Sequence, residues 1–162
     1  MTADDGFQSA GVATCWRYIA SSLDRLVGVV QGLDADDLGW RPPAPETNSL
    51  ATLAVHTLGN AEENLLGVLC GRPVRREREA EFAAAPTAAE IAARWADLRP
   101  RLRAALAALP AAELARGRDH PRRGTITGLE VLLVVARHAA EHLGQAELTR
   151  DLLRAERARP EG

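Results

Sequence analysis

Two histidines one helical turn apart are the residues of this chain best suited to metal chemistry. His138 and His142 lie in the stretch LEVLLVVARHAAEHLGQAELTRDLL, residues 129–153. A spacing of four residues places both imidazoles on one face of an α-helix, where a single ion can reach them. The same face carries valines that a helical core would turn inward. Imidazole is a preferred ligand of zinc and of neighbouring transition metals.

His56, in the stretch SLATLAVHTLGNAEENLLG, is the third histidine of the predicted site. A lone helical histidine is more often structural, but two inward-facing imidazoles one turn apart would be a costly way to fill a core without a metal. A facing helix would bring His56 to the same point. The sequence therefore predicts a three-histidine site for a divalent metal ion. His120, in a loop before Pro121, is not part of this prediction.

Polar residues near these histidines are the predicted ligand contacts. Asn60 and Glu63 continue the face of His56 along its helix. Such a stripe is either exposed or lines a pocket, and it lines a pocket only if His56 points inward. Gln145 lies three residues after His142, where it could contact a ligand or orient a histidine. Asn60, Glu63 and Gln145 are the predicted ligand-binding residues.

Residues 138–142 also read HAAEH, the string of the inverted zinc proteases. Such a peptidase needs a further acidic ligand on a later helix. Only 20 residues follow His142, and they complete the same helix. Glu141 is about 100° from His142 around the helix, which predicts a surface position. These features argue against a peptidase.

Four helical segments must position the predicted site. The first shows apolar residues at alternating spacings of four and three. The third and fourth begin at capping boxes, T-A-A-E and T-G-L-E. The predicted helices run from about Gln8 to Gln31, from Thr47–Ser49 to Cys70, from Thr87 to Leu109 and from Thr127 to Arg154. Residues 72–86 are predicted to be a solvated, mixed-charge linker and residues 113–127 a basic loop without a strand signal.

Composition limits the class of protein. A length of 162 residues fits one domain, so we predict a single domain over residues 1–162, and the many alanines and leucines favour an all-α fold. The net charge of -2 argues against a nucleic-acid partner. The longest apolar run is far too short to span a membrane, so no membrane partner is expected. Cys15 and Cys70 lack a CxxC spacing, and MTADDGFQSAGV is not a signal peptide, so a cytoplasmic location is expected.

The order of these motifs resembles the DinB/YfiT-like superfamily of helical metalloproteins. The resemblance consists of His56 early in the second helix and H-x-x-x-H-x-x-Q, from His138 to Gln145, in the closing helix. The stretch LGWRPPAPETNSLATLAVHTLGNAEENLLG is also similar, since members of this family often carry Trp-Arg-Pro before that helix. The resemblance covers nearly the whole chain.

This resemblance implies a four-helix bundle of the DinB/YfiT-like type, whose connectivity differs from a simple up-down-up-down bundle. It also implies one divalent ion, zinc or nickel, held by the three histidines. Characterised relatives include thiol S-transferases that use bacillithiol or mycothiol. Another is a mycothiol-dependent isomerase with an added domain, for which this chain has no room. The implied partners are a small-molecule thiol and an electrophile. The resemblance also implies a homodimer, the oligomeric state common in this family.

A three-histidine site leaves at least one metal position open for a thiol or a water. Coordination lowers the pKa of a thiol, so thiolate becomes available at neutral pH. Neither Cys15 nor Cys70 is placed to be that nucleophile, so the thiol would be a cosubstrate. The prediction is a metal-dependent thiol transferase acting on a small electrophile. The alternatives are a metal-dependent hydrolase, a non-catalytic metal or small-ligand binder, and a structural protein without metal. The apolar width of the fourth helix favours a homodimer.

Overall fold

Four long helical segments make up most of the computed structural model, which describes residues 6–159. The mostly helical fold agrees with the predicted all-α class, although a small two-stranded sheet is also present. The long segments are α1 (Ala10–Val30), α3 (Leu50–Ala61) with a π-helix that continues it (Glu62–Leu69), α5 (Ala88–Ala107) and α6 (Gly128–Arg157). The shorter elements are α2 (Ala35–Gly39), α4 (Arg78–Ala83), a 3₁₀ turn (Ala111–Leu114), β1 (Gly117–His120) and β2 (Gly124–Thr127).

The helix starts follow from the capping residues that the sequence offers. The Ser49 side chain accepts a hydrogen bond at the start of α3. The capping boxes of Thr87 with Glu90 and of Thr127 with Glu130 are both complete, which confirms the predicted starts of α5 and α6. In each box the threonine oxygen and the glutamate carboxylate satisfy backbone N–H groups that the first helical turn leaves unpaired.

The apolar faces of the long helices meet in one core. Helix α1 packs against α6, α5 and α3, and α6 also packs against α3. Burying a leucine or valine side chain stabilises a fold by roughly 1.5–3 kcal/mol, so this core fixes the relative position of α3 and α6. The fully buried side chains include Ile19, Leu23, Leu26, Leu58, Leu65, Leu98, Leu102 and Leu106. Within residues 6–159, no helix combines the length and the apolar character needed to cross a membrane.

The second long segment changes its winding at Glu62. The predicted helix does continue to Leu69, but as a π-helix from Glu62 onwards. Asn64 Nδ2 donates to the backbone carbonyl of Asn60 at 2.8 Å. In a regular α-helix that carbonyl would pair with the Asn64 backbone N–H. The Asn64 side chain therefore competes with its own backbone for this acceptor. π-Helical turns are rare and are often found at functional sites.

Residues 113–127 are not an irregular loop, and this prediction is wrong. Strands β1 and β2 pair antiparallel, with Gly117 opposite Thr127 and His120 opposite Gly124. Gly124 has a φ of 68°, a left-handed conformation that glycine adopts without steric cost. The β-branched run that follows it, Thr-Ile-Thr, favours a strand. Four residues per strand are too few to show a clear alternating pattern.

The linker at residues 72–86 also differs from the prediction. Instead of a fully solvated loop, it contains helix α4 and contributes side chains to the interior. The side chains of Arg76 and Glu81 are only 5% and 7% exposed. Because the two side chains pair with each other, charged residues can be buried here. The linker therefore forms part of the structure around α3.

Candidate metal centre

Three imidazole nitrogens converge between α3 and α6. His138 Nε2 lies 3.2 Å from His56 Nε2 and 3.1 Å from His142 Nε2. The ligand atoms of the three histidines all lie within 4.8 Å of one another. Two nitrogens bound to one tetrahedral zinc ion at about 2.0–2.1 Å would be about 3.3 Å apart. The spacing therefore fits the donor set of a single metal ion, and these three residues could hold one.

The outer ring nitrogens of two histidines have hydrogen-bond acceptors. His142 Nδ1 lies 2.7 Å from Gln145 Oε1, and His56 Nδ1 lies 3.1 Å from Glu81 Oε2. Both acceptors favour a proton on Nδ1, and a neutral imidazole carries only one N–H. The Nε2 lone pairs of His56 and His142 therefore face the centre, as metal ligation requires.

Arg76 is a second hydrogen-bond donor close to His56 Nδ1, and a proton on Nδ1 excludes a hydrogen bond between them. Arg76 Nη2 is 3.3 Å from His56 Nδ1, and two donors cannot point at each other. The same Nη2 has a better acceptor in Glu81 Oε2, at 2.7 Å, and a second in the His56 backbone carbonyl, at 3.3 Å. We therefore assign the His56 Nδ1 proton to the bond with Glu81.

His138, the central member of the triad, has no such acceptor among the described residues. Its Nδ1 is buried without a hydrogen-bond partner. An ion bound at Nε2 would fix the proton on Nδ1, and this N–H has no acceptor among the described residues. Burial, with the nearby charges of His142 and His56, lowers the pKa of His138 to about 3. Burial also lowers the pKa of His56, although Glu81 opposes this effect. Both imidazoles are neutral at pH 7, which is the form that binds metals.

Arg76 links the triad to two carboxylates. Its Nε donates to Glu81 Oε1 at 2.7 Å and its Nη1 donates to Glu63 Oε2 at 2.9 Å. Arg122 Nη2 also donates to Glu63, at 2.6 Å. Burial alone would raise the pKa of Glu63, but the hydrogen bonds from Arg122 and Arg76 lower it. The network holds Glu81 against His56 and places ionised Glu63 between two guanidinium groups.

Gly59 makes room for this network on α3. A Cβ atom at position 59 would collide with Glu81 Oε1 and would lie 3.1 Å from Arg76 Nε. Glycine within a helix costs about 1 kcal/mol relative to alanine. Its presence one turn after His56 is explained by the close approach of the Glu81 carboxylate.

The predicted ligand-contact residues have three different environments. Asn60 is 8% exposed and lines a cavity that includes His56. Glu63 is paired with arginines, and Gln145 is bonded to His142. Their contact with a ligand stays a prediction. Glu141 is half-exposed and pairs with Arg137, in agreement with the expected surface position.

Three residues around the triad were missed by the sequence reasoning. Arg76 and Glu81 lay in the segment that was expected to be solvated, and His120 was excluded. His120 is 5% exposed, and its Nδ1 accepts a hydrogen bond from the Arg122 backbone N–H at 3.1 Å. The mid-helical Gly59 was the available signal for Glu81, because glycine leaves room for another group to approach the backbone closely.

Comparisons with known proteins agree with the fold and with the sequence resemblance. The sequence matches the model of the DinB superfamily over residues 18–146. The crystal structure of a conserved protein from Enterococcus faecalis is similar to this chain, with a TM-score of 0.71 and 16% sequence identity. That similarity covers 88% of this chain and 96% of the other chain, and at this identity it concerns the fold alone. No curated protein matches the chain.

Replacing His138 with alanine should abolish stoichiometric binding of zinc, because it removes the ligand atom nearest to both other Nε2 atoms. The measurement is elemental analysis of tag-free protein after dialysis against zinc. The His120→Ala variant, which keeps the triad, should retain one equivalent once its melting curve shows that it is folded. One equivalent of zinc in the His138→Ala protein would contradict the ligand assignment.

Replacing Glu81 with glutamine should weaken zinc binding by about 10–100-fold, the usual effect of removing the carboxylate that orients a ligating histidine. Competition with a chromophoric chelator measures the change. The matched control is Glu79→Gln, since Glu79 is on the same short helix and its side chain is 91% exposed. Equal zinc affinities for both variants would show that Glu81 does not support the centre.

Proposed function

The chain belongs to the DinB superfamily, and we propose that it is a divalent-metal-dependent thiol S-transferase acting on a small electrophile. In this reaction the cosubstrate thiol loses its proton, and its sulfur forms a bond to a carbon of the electrophile as that carbon releases its leaving group, which is chloride for monochlorobimane. The observation that supports it is the convergence of three imidazoles on one point, a donor set that leaves a metal position open. Zinc or nickel suits these donors. The proposal includes the DinB-type four-helix bundle, formed by the four long helical segments.

A divalent ion in the centre would supply a Lewis-acid position at which the pKa of a bound thiol falls to near neutrality. The protein's own residues prepare that position. Glu81 accepts the His56 Nδ1 proton, which keeps the Nε2 lone pair directed inward and makes it more basic. Gln145 does the same for His142. Both hydrogen bonds fix the imidazole rings before a ligand binds, so little conformational entropy is lost on binding.

The nucleophilic sulfur is expected to come from outside the chain. Cys15 and Cys70 are both free, but neither belongs to the histidine cluster. Burial raises the pKa of both thiols, so they stay protonated at neutral pH. Two free cysteines also fit the cytoplasmic location, which is part of this proposal.

Metal-loaded protein should conjugate a low-molecular-weight thiol to monochlorobimane, and His142→Ala should lower the rate by about 100-fold, since metal activation contributes several kcal/mol. Fluorescence follows the reaction with bacillithiol, mycothiol and glutathione in turn. A Cys15→Ser, Cys70→Ser double variant is the control and should keep the full rate. Equal rates for the wild type and His142→Ala with all three thiols would reject the transferase for this electrophile.

Cobalt-substituted protein distinguishes the remaining functions. Thiol addition should produce a sulfur-to-cobalt charge-transfer band if the open position takes the thiol. A spectrum that responds only to pH would favour metal-bound water and a hydrolase. Cobalt binding without a response to either would favour a non-catalytic binder.

We also propose a homodimer formed through the exposed face of α6. Leu133 and Leu148 are 53% and 61% exposed, and Leu129 and Leu152 are each 42% exposed. Exposed large apolar side chains along one helix are typical of interaction surfaces. Light scattering should give a dimer mass at micromolar concentration, and Leu133→Arg should give a monomer. A control substitution on α1, Tyr18→Arg, should remain dimeric. A monomer mass for the unmodified protein at high micromolar concentration would contradict the dimer.

A further inference from the structure

A cavity rich in arginine opens beside the metal centre. His56 and His138 form part of its wall, and five arginines, His120, Asn60 and Val134 form the rest. None of the described residues that line it is acidic. Its volume is about 130 Å³. At roughly 30 Å³ per water molecule, about four waters would fill it, so a small polar group fits.

Two of the five arginines are neutralised by carboxylates of the protein. Arg76 is bonded to Glu81 and Glu63, and Arg122 is also bonded to Glu63. These two guanidinium groups and two carboxylates balance in charge. The positive charge of the cavity must therefore come from the other three arginines.

Those three arginines are weakly compensated. Arg137 lies 3.5 Å from the half-exposed carboxylate of Glu141. Arg78 lies 3.6 Å from the carboxylate of Glu79, whose side chain is 91% exposed. Arg123, in the turn between β1 and β2, makes no ion pair with any residue in the described range 6–159. Neither Glu141 nor Glu79 lines the cavity, and such exposed pairs are strongly screened by solvent, so the charged groups of the lining itself are all positive.

Neutral polar groups complete the lining. His120 accepts the Arg122 backbone N–H at Nδ1, which makes its other nitrogen, Nε2, the N–H donor. Asn60 Oδ1 is buried and has no hydrogen-bond partner among the described residues. An unpaired buried oxygen destabilises the protein, and a bound O–H or N–H group would remove that cost. The cavity therefore offers sites for donors and acceptors as well as positive charge.

We propose that this cavity binds an anionic group of the thiol cosubstrate, a carboxylate or a phosphate, while the sulfur of the same molecule reaches the metal centre. Guanidinium groups match both anions, since their parallel N–H groups pair with two oxygens at once. Two of the metal ligands form part of the cavity wall, so sulfur and anion need only a short spacer. The site should prefer a negatively charged thiol to an uncharged one. This inference rests on the proposed transferase function for the identity of the ligand, but not for anion binding itself.

The first test uses metal-free protein in Tris chloride buffer, with calorimetric titrations of inorganic phosphate and of propionate. The tighter ligand identifies the preferred anion. Arg123→Ala and Arg137→Ala should each weaken its binding by about 5-fold or more, as expected for hydrogen bonds to a charged group. Arg154→Ala is the matched control for Arg137→Ala, because both side chains lie on α6 and are similarly exposed, at 69% and 63%. No binding of either anion, or equal binding by all three variants, would overturn the proposal.

The second test uses cobalt-loaded protein titrated with 3-mercaptopropionate and with its uncharged methyl ester. The charge-transfer band should saturate at a concentration about 10-fold lower for the acid, and Arg123→Ala should remove most of that difference. Equal affinities for the acid and the ester would overturn the preference for a charged thiol. If neither thiol changes the spectrum, the transferase proposal fails, and the metal-free titrations still decide whether the cavity binds anions.

Discussion

The buried ion pair between Arg76 and Glu81 is the contact on which the arrangement of the site depends. Both side chains are almost completely withdrawn from water. Removing charges from water costs several kcal/mol per ion, so the pair persists only because it is nearly saturated with hydrogen bonds. Arg76 donates to both oxygens of Glu81 and to Glu63, and Glu81 also accepts from His56. Loss of either member would leave the other charge buried and would release His56 from its orientation.

This ion pair attaches the segment after the π-helix to α3. The carboxylate of Glu81 lies against the α3 backbone where Gly59 has no side chain, so the linker and its short helix α4 cover one side of the triad. The acidic partner of His56 therefore comes from this segment, whereas none of the described residues that line the arginine-rich cavity is acidic. Glu81 orients the His56 imidazole, while the arginines of the cavity that pair with neither Glu81 nor Glu63 are available to a ligand. Glu81 and Glu63 pair with Arg76 and Arg122 but not with Arg78, Arg123 or Arg137.

The sequence alone determined the helical class, the starts of α5 and α6, and the relation between two of the three histidines. These features depend on local rules. Capping boxes satisfy backbone groups within four residues, and the spacing of His138 and His142 sets their angle around a helix axis. The order of motifs also led to the DinB superfamily, which the family match over residues 18–146 shows. Each of these inferences needs only residues that are neighbours in the chain or a pattern in their order.

Only the tertiary structure decided that Glu81 faces the outer ring nitrogen of His56, that the outer nitrogen of His138 has no partner among the described residues, and what surrounds the centre. The contact of His56 with Glu81 joins residues 25 positions apart, in a segment whose mixed charge is typical of a solvated loop. A charged side chain carries no periodic signal for burial, because burial depends on whether a partner arrives from another element. The same holds for His120, whose place in the cavity wall depends on a short hairpin that local pattern did not indicate. Long-range pairing of charge and hydrogen bonds is set by the packing of whole elements, and one sequence does not display it.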